Sequence, residues 1–291
     1  MNEMDKPLTC YKYRSGKSAL DSLLKGEVYF ASPSQLNDSL ESKFDFASTE
    51  KFAEVFNQTM HELALHRGIV VSNEWIKSTP HVLHAVNADE NDRLKSWCQN
   101  AGIFSAARRP DNQAMWAYYC NNSCGVCFHL EWPDEVMEKY KLLPAEVTYT
   151  KDSRIHNRAE DFRELMLELG HQNPSWTMSQ LTAFSMTENF RRLWGGRTQA
   201  RALSKKHVNW EHEQEIRMLS PKAEALPILK DILRGVIFQN SNFEEWQEIV
   251  RTIYEKYPTV QLFDMQFEHK EPFVRSRKYH FRTVTIDAPE S

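Results

Sequence analysis

The run WEHEQEIRML, residues 210 to 219, sets Glu213, Glu215 and Arg217 close enough together to do chemistry. In a helix, Glu211 and Glu215, and Glu213 and Arg217, would stand four apart, and the second spacing is a surface pair worth about 0.3 kcal/mol. In a strand, Glu213, Glu215 and Arg217 share one face while Gln214, Ile216 and Met218 share the other, because successive side chains alternate. Two carboxylates on one strand face repel unless a cation meets them. That cost is what would make the strand reading functional.

Other chemistries are weighed against it. A strand of the form E-x-E-x-R is also compatible with a Mg²⁺-dependent nuclease, with Asp38 and Glu41 supplying the upstream acid. Such sites use lysine, whose pKa shifts readily, where this chain has Arg217. Cys120, Cys124, Cys127 and His129 offer four soft ligands, but with 125–132 as a strand the set must fold back across a turn, and no second ligand pair sits at knuckle spacing. No metal is expected. The chain lacks G-x-S-x-G, Walker and G-x-G-x-x-G motifs and has only 9 glycines, which disfavours P-loop enzymes and Rossmann dehydrogenases. Tyr11, Tyr13, Tyr29, Phe30, Trp116, Tyr118, Tyr119 and Trp210 form an aromatic set that could simply pack. Trp116 and Tyr119, three apart on a helix, could line one flat wall.

These residues need elements to position them. TCYKYRS (9–15) reads as a strand, KSALDSLLKG (17–26) as a helix ending at Gly26, and EVYFAS (27–32) as a second strand stopped by Pro33, a β-α-β opening. Helices are expected from Thr49 to His66, where Phe52, Phe56, Met60 and Leu63 recur at helical spacing, and from Asn91 to Asn100. GIFSAAR (102–108), GVCFHLEW (125–132) and AEVTYT (145–150) read as strands, and DNQAMWAYYC (111–120) as a short helix with Asp111 as N-cap. From Arg158 to Leu203 the pattern is helical, interrupted at 173–175 and at Gly195-Gly196. GVIFQ (235–239), a helix over 243–257 and a strand over 260–269 close the fold. The reading is one α/β (α+β) domain over 1–291 with a mixed sheet and helical insertions at about 49–100 and 158–205.

Composition fits that picture. Hydrophobic residues at 41% and charged residues at 26% suit a globular protein, and no stretch approaches the roughly 20 apolar residues of a membrane span. The start has no apolar h-region, so the expected location is cytoplasmic. Five cysteines are an odd number for a disulfide framework, so reduced thiols are expected. A net charge of -4 leaves no global nucleic-acid footprint, but Arg191, Arg192, Arg197, Arg201, Lys205 and Lys206 concentrate before the opening motif.

The ordered set YKYRS, YFASPSQLND, DNQAMWAYYCNNSCGVCFHLE, VTY and WEHEQEIRML resembles the bacterial domain-of-unknown-function family 2971 over about residues 11 to 240. Ser39 and Tyr118 depart from its usual proline and histidine. More loosely, Arg14 on a first strand, Tyr29 and Ser32 on a second, and Glu213-Gln214-Glu215 later resemble the ADP-ribosyltransferase pattern. That resemblance implies NAD as substrate, Glu215 as the charge-stabilising carboxylate and Glu213 as the group activating or orienting the acceptor. It further implies Arg14 at the pyrophosphate or adenine-side ribose, Ser32 supporting the glutamate, and Tyr13, Tyr29, Trp116 and Tyr119 around the cofactor. Arg217 would relieve the repulsion between the glutamates, a role it would also fill in a purely structural ion network. The implied acceptor is a macromolecule, RNA, DNA or protein, met by Arg191, Arg192, Arg197 and Arg201. Families of this kind suggest a toxin or anti-phage setting with a neutralising partner, and a non-catalytic sensor or interaction module is the remaining alternative.

Overall fold

The computed structural model describes residues 7–37, 45–46, 49–69, 92–122, 124–151, 155–239, 243–268 and 278–283. Asp38 and Glu41, the upstream acids of the nuclease reading, lie outside the described residues. The strands are β1 (Leu8–Ser15), β2 (Val28–Phe30), β3 (Asp45–Phe46), β4 (Gly102–Ala107), β5 (Gly125–Trp132), β6 (Leu143–Glu146), β7 (Thr148–Thr150), β8 (Ile155–His156), β9 (Lys205–His207), β10 (Glu215–Ser220), β11 (Glu224–Leu226), β12 (Leu233–Phe238), β13 (Gln261–Glu268) and β14 (Lys278–Thr283). The class is mixed α/β, and the chain divides into two compact units, 1–31 with 102–147 and 209–291, and 32–101 with 148–208. The stretches expected as helical insertions both fall in the second unit. No helix among the described residues is long and apolar enough to cross a membrane.

The first unit is built on an eight-stranded sheet in the order β14-β13-β12-β5-β1-β4-β10-β6. Only β12 and β13 run parallel; the other neighbours are antiparallel. Alternation sorts the side chains onto two faces. Cys10, Phe104, Ala106, Val126, Phe128, Leu130, Ile216 and Met218 bury into the larger core, against helices Gly16–Lys25 and Trp246–Lys256. Tyr13, Ala107, Cys127 and Ile237 face the other way, into a smaller cluster with Met115, Trp116 and Cys120 of the segment around helix Gln113–Tyr119.

Local chemistry explains where these helices begin and end. The Ser15 hydroxyl accepts from the backbone N–H of Ser18, and Gly26 at φ 71° returns its N–H to Ser22 O at 2.8 Å. A left-handed residue there favours glycine. Tyr257 OH donates to Leu23 O at 2.8 Å, tying the last helix to the first.

The second unit packs helices Thr49–His66, Arg158–Gln172, Met178–Ser185 and Glu188–Ala202 around Phe56, Met60, Leu63, Phe162, Met166, Phe190 and Trp194, with a further helix at 92–100. Two short parallel pairs, β3 with β8 and β7 with β9, belong to it.

Several sequence expectations need correction. Helix Glu188–Ala202 runs straight through Gly195 and Gly196; the break comes instead at Met186 and Thr187, where the Thr187 hydroxyl caps a new helix. AEVTYT is not one strand, because residues 143–146 pair with β10 in the large sheet while 148–150 pair with β9 in the second unit. Asn112 rather than Asp111 caps the short helix, its Oδ1 accepting from Ala114 N at 3.1 Å and Met115 N at 3.4 Å. Asp111 is held by the Arg109 guanidinium instead.

Candidate functional site

The opening motif divides at Gln214. Residues Val208–Glu213 form a 3-10 helix, Gln214 takes φ 47°, and the strand starts at Glu215. Glu213 is therefore not on the strand. Arg108 N–H donates to Gln214 O at 3.0 Å, which pins the turn to the end of β4. Glu215 and Arg217 do share a strand face, and Arg217 Nε donates to Glu215 Oε1 at 2.8 Å. Glu213 instead receives Tyr119 OH at 2.8 Å. Each carboxylate thus has its own donor. All three charged side chains are withdrawn from water, Glu213 at 2%, Glu215 at 4% and Arg217 at 1% exposure. Burial presses the Arg217 guanidinium below its ordinary value, while the adjacent carboxylate favours its charged form.

The aromatic residues assigned to a cofactor wall are largely sealed. Tyr13 is 3% exposed and Trp116 0%, their rings edge to face at 5.3 Å. Trp116 Nε1 donates to Pro110 O at 2.9 Å and Tyr13 OH to Arg109 O at 2.7 Å, so their polar tips serve the loop that precedes the helix. Burial raises the Tyr13 hydroxyl pKa. Tyr119 is half-buried and Tyr29 is exposed on β2, opposite Ala225 of β11.

Arg14 goes elsewhere. It alternates in register with Cys10 and pairs with Val126, both facing the larger core, whereas Glu215 pairs with Ala107 on the other face. Its guanidinium donates to Ser18 Oγ at 3.2 Å. Ser32 belongs to the second unit, where its hydroxyl lies 2.9 Å from Ser34 Oγ and its N–H donates to Gln35 Oε1 at 2.9 Å. These two groups serve a local cap and a helix contact. The expected acceptor-binding arginines line helix Glu188–Ala202, but Arg197 bonds Glu168, and Arg201 bonds Asp161 at 3.1 Å and also Glu164. Arg191 is half-buried and Arg192 exposed. The basic run is thus partly neutralised by carboxylates of helix Arg158–Gln172, pairings at sequence distances that local spacing does not reveal.

Cys120 and Cys127 are buried in the aromatic cluster, and Cys120 Sγ donates to Val126 O at 3.4 Å. Burial lifts the Cys120 thiol to about 12. Among the described residues no three His, Cys, Asp or Glu side chains come together to hold a metal.

Sequence reasoning missed Lys12. β1 and β4 share one paired position, Tyr11 with Ala107, and then part. Ile103 exchanges both backbone hydrogen bonds with Ala31, so the polar backbone of alternate β4 residues faces that split. The Lys12 ammonium enters it, donates to Ser105 O and lies 4.9 Å from the centre of the Phe104 ring. Burial lowers its pKa from 10.5 to about 8, the Arg14 charge acts in the same direction, and Glu215 and Glu213 oppose it. The only signal was a lysine alternating with core residues in YKYRS.

That lysine sets a pH dependence. Between pH 8 and 10.5 the unfolded chain holds a proton on Lys12 that the folded chain lacks, so Lys12 makes stability rise with pH across that window, by up to about 3 kcal/mol. The buried thiols act oppositely, because Cys10 is raised to about 11 and Cys120 to about 12, so their unfolded forms ionise first as pH rises. Urea unfolding of wild type and Lys12→Met between pH 7.5 and 9.5 should show the difference in stability moving toward wild type as pH increases. A pH-independent difference would contradict this account.

Fold and site together define a mixed α/β protein whose central sheet carries a buried Glu-Arg pair, with a second buried glutamate two residues earlier at the end of a 3-10 turn. A model of the family described as "Protein of unknown function (DUF2971)" matches residues 115–218, from the helix bearing Trp116 and Tyr119 to the strand bearing Glu215 and Arg217. No curated protein and no solved structure matches the chain.

Proposed function

We propose that the chain is an ADP-ribosyltransferase-like enzyme that consumes NAD to modify a macromolecule, with Glu215 as the carboxylate that meets the developing positive charge. The observation that carries this reading is the 2.8 Å bond from Arg217 Nε, which fixes the Glu215 carboxylate on a rigid strand in a dry environment. A preoriented anion of this kind is worth most where positive charge develops, as it does on the ribose while the bond to nicotinamide breaks. The electron pair of that bond leaves with the ring nitrogen, giving neutral nicotinamide. The ribose carbon bonds to the acceptor, whose proton passes to a base, and Glu213, two residues before Glu215 in the chain, is the group assigned to that role. A toxin or anti-phage role belongs to this reading through the resemblance alone.

A second reading has its own observation. The near-complete burial of Glu213, Glu215 and Arg217 suits a brace inside a non-catalytic module.

Nicotinamide release and adduct mass, measured with NAD and candidate RNA, DNA and protein acceptors, separate the two. Turnover should be present in wild type and fall by at least about a hundredfold in Glu215→Gln, a loss of the size seen when a transition-state-stabilising group is removed. Absence of NAD binding and turnover with every acceptor, or full activity of a folded Glu215→Gln, would defeat the transferase reading.

A further inference from the structure

One aromatic group of the site is not sealed. Tyr118 is 65% exposed and follows the helix turn that carries Trp116, while its neighbour Tyr119 reaches inward to Glu213. His212, also exposed, precedes Glu213. The Tyr118 and His212 rings meet edge to face at 6.0 Å, and Trp210, half-buried, stacks on His212 at 6.1 Å with 30° between planes. The Asn112 amide donates to His212 O, and Asn209 O lies 3.0 Å from His212 Nδ1, so the helix N-cap and the 3-10 turn hold the three rings together. Arg108 and Arg109 are exposed on the segment leading into that N-cap. They pair with Glu146 and Asp111, and Glu211 adds a further exposed carboxylate on the turn. The Arg108–Glu146 pair is exposed on both sides, of a kind that is weak and can be exchanged for another anion, whereas Arg109 is held in a two-bond fork by Asp111.

We propose that Tyr118, His212 and Trp210, with Arg108 and Arg109, form a docking surface for single-stranded nucleic acid. Bases have flat π faces that stack on such rings without sequence preference, and the two guanidinium groups complement the phosphates between them. Tyr118 is the chain neighbour of Tyr119, which bonds Glu213, and His212 is the chain neighbour of Glu213 itself, so the ring surface and Glu213 share two segments. As an acceptor site this rests on the transferase reading; as a binding surface it does not.

Anisotropy of fluorescein-labelled single-stranded decathymidylate and decauridylate, with a duplex of equal length, tests it on the full chain without NAD. Wild type should bind one or both single strands more tightly than duplex. Tyr118→Ala, a truncation at an exposed position, should weaken binding about fivefold or more. Arg108→Gln and Arg109→Gln should each flatten the slope of log affinity against log salt by about 0.7. Lys25→Gln, an exposed cation on the helix that covers the opposite face of the sheet, should leave binding unchanged. Lack of single-strand binding at low salt, equal binding of duplex, or indifference to Tyr118→Ala would overturn the proposal. Strand binding without NAD turnover would leave this surface standing and remove the transferase reading, and NAD turnover on a protein without strand binding would do the reverse.

Discussion

Glu215→Ala should cost about 3–5 kcal/mol of folding stability, because it leaves the Arg217 guanidinium charged in a site with little access to water. The cost is not the strength of the pair itself. Forming the pair already required removing two ions from water, and attraction inside the sheet offsets most of that; breaking it leaves the desolvation with nothing against it. The double variant Glu215→Leu with Arg217→Met should therefore be more stable than Glu215→Ala, although it removes more charge. Urea midpoints for wild type, the single variant and the double variant decide this. Equal loss in the single and double variants would contradict this account. A domain stabilised by some 5–15 kcal/mol can lose much of its margin to a single change of this size, which is why glutamine is the better probe of chemistry at this position.

Trp116→Ala should be of similar size, about 3–5 kcal/mol, from loss of a fully buried indole and the void it leaves. The Pro110 carbonyl also loses its donor, and the edge-to-face contact with Tyr13 disappears. Trp116→Phe should cost less, since it keeps a ring in the space and gives up mainly the hydrogen bond. If Trp116→Ala instead left the unfolding midpoint untouched and abolished binding of NAD, the indole would belong to a ligand wall and not to the core.

The elements were more legible than the site. TCYKYRS and GVCFHLEW read as strands, and β1 and β5 occupy Leu8–Ser15 and Gly125–Trp132, while Gly26 marks the end of the first helix as its left-handed conformation requires. Period two also separates Arg14 from Tyr11 and Tyr13. What it cannot tell is which of those faces Glu215 joins, because that depends on the register linking Tyr11, Ala107 and Glu215 across three strands. The turn at Gln214 escaped notice for a different reason. Glutamine carries no signal for positive φ, and the residues before it read equally well as a continuing strand. Lys12 escaped because its surroundings exist only where β1 and β4 part. Arg197 and Arg201 looked free because their carboxylates lie 29 to 40 residues away along the chain. β14, over Lys278–Thr283, was not anticipated at all.

The parting of β1 from β4 has a mechanical consequence. The large sheet is a five-strand block, β14 to β1, and a three-strand block, β4-β10-β6, stitched along their seam by the Tyr11–Ala107 pair and the Lys12 ammonium, with Ala31 bridging Ile103 from beyond β2. A ladder of backbone bonds resists shear along its whole length, whereas a seam with so few stitches yields like a zipper once one of them goes. Pulled from its ends, or opened by thermal fluctuation, the sheet should tear along this line first, each block keeping its own amide protection while the amides along the seam exchange.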